Sequence, residues 1–149
     1  MSTEETINQL LNIMLNTILN NSPYPGQDAQ NTYFPDIELV QKNPEVIVSD
    51  ENLASACCFE VPGYTICVIP QDNLHSRAAE EGDYPYLALT EVQLSDYSVV
   101  LTLQLKWAIS EASQKMGKYY FSGGGVKVKF ILQDGEWVSP MGPMATWMS

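Results

Sequence analysis

The sequence is most constrained by residues 97–109, where apolar and polar side chains alternate almost without interruption. A period of two indicates a β-strand that buries one face, because successive side chains of a strand point to opposite sides. The apolar face would carry Val99, Leu101, Leu103, Leu105, Trp107 and Ile109. The chain is therefore expected to build a sheet with one covered face around this strand.

The segment before this strand, residues 86–94, is predicted to pair with it as an antiparallel hairpin. A two-residue turn at positions 95–96 would set Val92 opposite Val99, so that both side chains lie on the same apolar face. The short apolar run at residues 46–48 is ambiguous, and a short strand is one interpretation of it.

The C-terminal part is predicted to form a second hairpin. Its inward positions would be Val126, Val128, Phe130 and Leu132. The Asp134-Gly135 pair is typical of a tight two-residue turn, and it would set Leu132 opposite Trp137. Residues 140–149 are too apolar to be freely solvated, so this tail is expected to dock.

A Pro-Gly pair at residues 62–63 predicts a further hairpin, in which Phe59 faces Ile66 and Cys58 faces Cys67. The pair prefers type II geometry, which matches hairpin twist less well than the mirror-image turns do. The chain has three cysteines, an odd number that does not resemble a disulfide framework, and we predict reduced thiols.

Two helices are predicted. Residues 3–20 place apolar side chains at the i, i+3, i+4 spacing of an amphipathic helix. An i+4 row of asparagines runs beside this arc, at Asn8, Asn12, Asn16 and Asn20. Asparagine is a poor helix former, so this helix is expected to depend on docking for its stability. The polar segment 71–83 predicts one or two helical turns that stop at Gly82.

These elements predict an α+β fold, with the N-terminal amphipathic helix packed on a curved antiparallel sheet. The length of 149 residues is close to that of one typical domain, so residues 1–149 are expected to form a single domain. No apolar run is long enough to span a membrane and no signal peptide is evident, which predicts a cytoplasmic protein.

The charge balance narrows the classes of partner. The chain carries 18 acidic against 7 basic residues, for a net charge of −11. Direct binding of nucleic acid and binding to an anionic membrane are therefore not expected, because both surfaces would repel the protein. Residues 1–96 hold 15 acids and 2 bases, and residues 97–149 hold 3 acids and 5 bases. This polarity favours a basic protein partner.

The sequence offers little for metal, cofactor or catalytic chemistry. His75 is the single histidine, and no Cys-x-x-Cys pair is present, so neither a metal site nor a cofactor is predicted. Asp72 and His75 could share a helix face and perform acid–base chemistry with Tyr84 or Tyr86. The alternative, which we favour, is a solvated surface helix and a protein that is not an enzyme.

Two sets of candidate site residues follow. The partner-binding set combines the densest acidic patch with aromatic side chains that could anchor an interface: Asp72, Glu80, Glu81, Asp83, Tyr84 and Tyr86. Tyr24 is a further candidate anchor. The ligand-pocket set comprises His75, Trp107, Tyr119, Phe130 and Trp137, for which plain core packing is the alternative.

The segments EVQLSDYSVVLTLQLKW, GGGVKVKFIL and DGEW resemble the C-terminal meander of NTF2-like (cystatin-like) domains, over residues 86–139. The resemblance implies a cone-shaped α+β fold. It covers about a third of the chain, and residues 21–50 depart from the pattern. Because the family includes small-molecule enzymes, ligand binders, transport adaptors and bacterial immunity proteins, the resemblance does not by itself select a function.

Three functions are therefore carried forward. The first is an inhibitor or immunity-type antagonist of a basic enzyme such as a nuclease. The second is an NTF2-like ligand-binding domain or enzyme with a pocket inside the sheet. The third is an adaptor that forms homo-oligomers through its sheet face.

Overall fold

The computed structural model describes residues 3–27, 34, 37–53, 58–110 and 124–147. Its helices are α1 (Thr3–Asn20), α2 (Glu38–Gln41) and α3 (Leu74–Glu81), the last continuing from a 3₁₀ turn at Gln71–Asn73. Its strands are β1 (Glu45–Ser49), β2 (Thr65–Ile69), β3 (Tyr84–Leu94), β4 (Ser98–Ala108), β5 (Gly124–Gln133), β6 (Glu136–Val138) and β7 (Pro143–Trp147).

The strands form one sheet in the order β2-β1-β3-β4-β5-β6, and β7 pairs with β5 beyond the end of β6. The sheet curls strongly, into about half a barrel. The predicted α+β class is confirmed. The prediction of a purely antiparallel sheet is wrong, because β1 runs parallel to both β2 and β3. Parallel strands are joined by a crossover connection rather than a tight hairpin. The alternation of side chains within one strand does not show in which direction its neighbours run.

The hairpin of β3 and β4 differs from its predicted register by two residues. Leu94 lies opposite Val99, and Val92 lies opposite Leu101 rather than Val99. A shift of two residues leaves the side chains of β4 and of Glu91 to Leu94 on their predicted faces, because the period of a strand is also two. The apolar face of β4 is therefore as the alternation predicted, although the loop is longer.

A β-bulge at Thr90 changes which side chains of β3 face the main core. The register shifts between Leu89 and Glu91, so Leu87 and Leu89 before the bulge and Val92 after it lie on one face. A bulge inserts one extra residue and reverses the alternation beyond it. Both faces of β3 are consequently buried in its first half.

The main core lies between α1 and one face of the sheet. Helix α1 contributes the predicted apolar arc, with Leu10, Leu11, Met14, Leu15 and Ile18 all fully buried. The opposite face of the sheet carries a smaller cluster, which we call the second cluster: Leu74, Ala78, Tyr86, Ala88 and Ala108. Because Leu74 and Ala78 belong to α3, this helix covers the second face.

The C-terminal strands confirm the predicted Asp134-Gly135 turn, with Leu132 opposite Trp137 and positive φ at both turn residues. Leu132 itself is 37% exposed, so its predicted burial is wrong. The tail docks as strand β7 along β5. It does so through its backbone, because Met141 and Met144 remain exposed.

Among the described residues, no helix combines the length and apolar character needed to cross a membrane.

Candidate functional site

Helix α3 presents the acidic surface that the sequence predicted. It follows the extended residue Pro70 and ends at Gly82. Leu74 and Ala78, which lie four residues apart, turn one side of the helix into the second cluster. The remaining sides face solvent and carry Asp72 of the preceding turn, His75, Glu80 and Glu81, all of them exposed.

Arg77 neutralises part of this surface. Its guanidinium lies 3.0 Å from a Glu45 carboxylate oxygen of β1 and also bonds Glu81 one helical turn away. The same group lies 5.7 Å from the centre of the Tyr84 ring. The hydrogen bonds to Glu81 and then to Glu45 raise the pKa of Arg77 above its ordinary value. Exposed ion pairs of this kind contribute little to stability, but they fix where charge is balanced.

Asp72 and Glu80 are the unbalanced charges of the helix. Both side chains are exposed, and within the described part of the chain neither has a salt-bridge partner. Asp83, by contrast, is half-buried and accepts a hydrogen bond of 3.0 Å from the backbone N–H of Ser110. The predicted acidic patch therefore separates into free carboxylates at Asp72 and Glu80 and engaged carboxylates at Glu81 and Asp83.

The two predicted aromatic anchors of this patch lie against the protein rather than on its surface. The Tyr84 hydroxyl donates to the Leu74 carbonyl oxygen at 2.8 Å and ties α3 to β3. Tyr86 is 8% exposed and belongs to the second cluster. The pKa of both hydroxyls is raised, and burial contributes more to this than any nearby charge does.

The predicted pocket residues do not converge. His75 stands on the α3 side of the sheet, with its Nδ1 3.1 Å from the Ile109 carbonyl oxygen. Phe130 is fully buried in the main core on the opposite face, and Trp137 packs at the edge of that core. Trp107 is half-buried opposite Pro85, and Tyr119 lies outside the described residues. No hydrogen bond joins His75 to Asp72 among the described residues, so the acid–base pair is not formed there either.

A feature that the sequence reasoning missed lies between α1 and β2. Side-chain amides of three asparagines of α1 donate to carbonyl oxygens of a non-strand segment, at Cys58 (3.4 Å), Glu60 (3.1 Å) and Pro62 (3.1 Å). Asn12 also accepts from the Glu60 N–H at 2.8 Å. The signal was the i+4 asparagine row, since one such step rises about 6 Å and two residues of extended chain span about 6.6 Å.

We call residues 58–61 the clamped segment. Among the described residues, the bridge between Val61 and Tyr64, just before β2, is its one strand-like pairing. This bridge closes a turn in which Gly63 takes the positive φ that type II geometry requires. The predicted pairs of Phe59 with Ile66 and Cys58 with Cys67 are therefore wrong. β2 pairs instead with β1, and a cleft of about 580 Å³ separates it from the clamped segment.

Two of the three cysteines lie in the described residues. Cys58 is exposed and Cys67 is half-buried, and both are free thiols, while Cys57 lies outside the described residues. Burial first, and then the neighbouring Glu45, raise the pKa of the Cys67 thiol, which keeps it protonated and poorly nucleophilic. In the described ranges, no group of three or more His, Cys, Asp or Glu could hold a metal ion.

Comparison of the chain with known protein families, curated proteins and solved structures found no match. The function must therefore be argued from the arrangement of this chain's own residues.

Proposed function

We propose that this protein is a protein-binding module that captures a basic partner through the acidic face of α3. We define the acidic face as Asp72 and Glu80, with Glu45 and Glu81 around Arg77. The observation that carries the proposal is the exposure of Asp72 and Glu80 without a described salt-bridge partner. The finer proposal is an inhibitor or immunity-type antagonist of a basic enzyme such as a nuclease, built on an NTF2-like fold.

The distribution of charge along the chain supports capture by long-range attraction. From the residue counts, residues 1–96 carry a net charge of −13, and residues 97–149 carry +2. α3 and β2 belong to the first part. A surface of one sign raises the rate at which an oppositely charged partner is encountered, and this gain falls as salt screens it. Solubility alone is the competing explanation for the net charge, and it predicts no dependence on where the acids lie.

The test compares charge removal at two places. The protein would be immobilised, exposed to lysate of its source organism at low salt, and washed with increasing salt, with bound proteins identified by mass spectrometry. We expect one stoichiometric basic protein, released by salt and lost with the Asp72→Asn/Glu80→Gln variant. The matched control, Asp134→Asn/Glu136→Gln, removes the same charge from the β5–β6 hairpin. Equal loss with both variants would contradict a localised acidic face, and so would retention with both.

A further inference from the structure

Strand β2 forms one edge of the sheet, and its outward backbone groups have no hydrogen-bond partner among the described residues. At its two ends, Thr65 N–H donates to the Pro44 carbonyl oxygen at 2.7 Å and the Ile69 carbonyl accepts from Asp50 N–H at 3.1 Å. The backbone groups of a strand alternate in direction. Thr65, Cys67 and Ile69 therefore face β1, and Ile66 and Val68 face away from it.

No described residue forms a backbone hydrogen bond with Ile66 or Val68 on the outer side of β2. The natural candidate is the clamped segment, which would pair Phe59 with Ile66 if the hairpin closed. The asparagines of α1 bond the carbonyls of Cys58 and Glu60 in that segment instead, and the carbonyl of Pro62 directly after it. The hairpin is thus closed at the Val61–Tyr64 bridge and open further from its turn. The clamped segment and the start of β2 line the cleft between them.

Exposed strand edges bind extended peptides by backbone pairing, with side chains selecting the partner. The side chains near this edge select for positive charge. Glu60 lines the cleft, and no lysine or arginine of the described residues does. Glu45 begins the neighbouring strand β1. Helix α3, which carries the free carboxylates, packs on the face of β1 and β2 that also holds the Cys67 thiol. The charges of Glu45 and Arg77 both act on this thiol.

The structure assigns the outer edge of β2 as a strand-addition site, whose occupant is an extended, lysine- or arginine-bearing segment of the partner protein. The inference rests on the proposed function, since it states how the same side of the molecule holds a basic partner. A second copy of this chain fits less well, because pairing β2 with β2 would bring Glu45 and Glu60 of both copies together and like charges oppose association.

The test uses a seven-residue peptide of alternating lysine and valine, and a copy N-methylated at alternate residues so that one backbone edge cannot donate. Binding would be measured by calorimetry, and amide hydrogen exchange would be followed at Ile66 and Val68. We expect fast exchange at both amides in the free protein, at least tenfold slower exchange with the plain peptide, and at least tenfold weaker binding of the methylated copy.

Two variants separate backbone pairing from side-chain effects. Val68→Pro removes one outward N–H and should weaken the plain peptide at least tenfold, while Val68→Thr keeps the N–H and should not. Circular dichroism reports whether Val68→Pro still folds, and the exchange experiment requires no variant at all. Proline is tolerated where an edge N–H faces outward.

Each other outcome is decisive. Slow exchange of Ile66 in the free monomer would show that the hairpin closes, and concentration-dependent protection would show self-pairing; either overturns the proposal. So would failure of the plain peptide to bind, or equal binding of both peptides without protection at Ile66 and Val68. Peptide binding that Asp72→Asn/Glu80→Gln and added salt leave unchanged would uphold strand addition and contradict the proposed acidic capture.

Discussion

At the scale of single residues, Tyr24 is the most instructive side chain of the main core. It is 1% exposed and packs edge-on against Phe130, with ring centres 6.1 Å apart. Its hydroxyl is buried, and no described residue forms a hydrogen bond with it. An unsatisfied buried polar group costs about 1–3 kcal/mol, so the ring stabilises the core while its oxygen opposes that effect.

Tyr24→Phe should therefore keep or raise the free energy of unfolding, by up to about 1 kcal/mol. Tyr84→Phe is the matched control. It loses the 2.8 Å bond to the Leu74 carbonyl and should cost about 1 kcal/mol. Urea denaturation of both variants measures the difference. A larger loss for Tyr24→Phe than for Tyr84→Phe would mean that the Tyr24 hydroxyl is bonded in solution.

The same hydroxyl predicts a pH dependence. Burial raises the pKa of Tyr24 well above its ordinary value of about 10, so the folded state holds this proton more tightly than the unfolded state. The stability that follows is fully present below about pH 10 and is lost as the pH rises further. The free energy of unfolding of Tyr24→Phe should fall less steeply between pH 10 and 12 than that of the unaltered protein. An unchanged alkaline profile would contradict the burial of this hydroxyl.

The hydrogen bonds from the α1 asparagines to Cys58, Glu60 and Pro62 form what we call the asparagine clamp. Asn12 is expected to contribute most of its stability, because it both donates to and accepts from the Glu60 backbone. Asn12→Ala should lower the free energy of unfolding by about 1 kcal/mol relative to Asn16→Ala. The comparison is matched because both changes improve helix propensity equally, and Asn20 is the one hydrogen-bond partner of the Asn16 side chain in the described part of the chain. Equal stability of the two variants in urea would show that the clamp contributes nothing.

At the scale of elements, local periodicity predicted what depends on neighbours in sequence. α1, α3, the strands β3 to β5 and the Asp134-Gly135 turn all follow from spacing. The parallel pairing of β1 and the bulge at Thr90 depend on distant contacts, and alternation does not report them. The bulge also affects the site, because it places Tyr86 in the second cluster rather than on the main-core face with Val92.

Arg77 provides a prediction for α3 as an element. Arg77→Gln would release the carboxylates of Glu45 and Glu81 and make the acidic face more negative. Association with the basic partner should become faster at low salt, the opposite of the Asp72→Asn/Glu80→Gln result. The free energy of unfolding should fall by less than about 1 kcal/mol, since these pairs are partly exposed. Stopped-flow measurement would show whether the association rate rises or falls, and a slower association would contradict the assignment of this face.

At the scale of the whole molecule, the strand order places β2 and the β5–β6 hairpin at opposite ends of the sheet. β2 and β6 lie at opposite ends of the strand order, five steps apart, which is about 24 Å along the sheet. This distance exceeds the screening length of about 8 Å at physiological salt, so charges at the two ends act independently on a partner. Composition shows that most of the acids lie before residue 97. It did not predict that Arg77 and the Ser110 N–H would engage half of the acidic patch, because those contacts exist only once the chain folds.

The most direct measurement of the central claim is the association rate with the purified basic partner, by stopped flow, from about 10 to 500 mM salt. We predict that the rate for the unaltered protein falls at least tenfold across this range, and that Asp72→Asn/Glu80→Gln flattens the dependence. Asp134→Asn/Glu136→Gln should retain the full slope. A rate insensitive to salt, or equal slopes for the two variants, would contradict capture through the acidic face of α3.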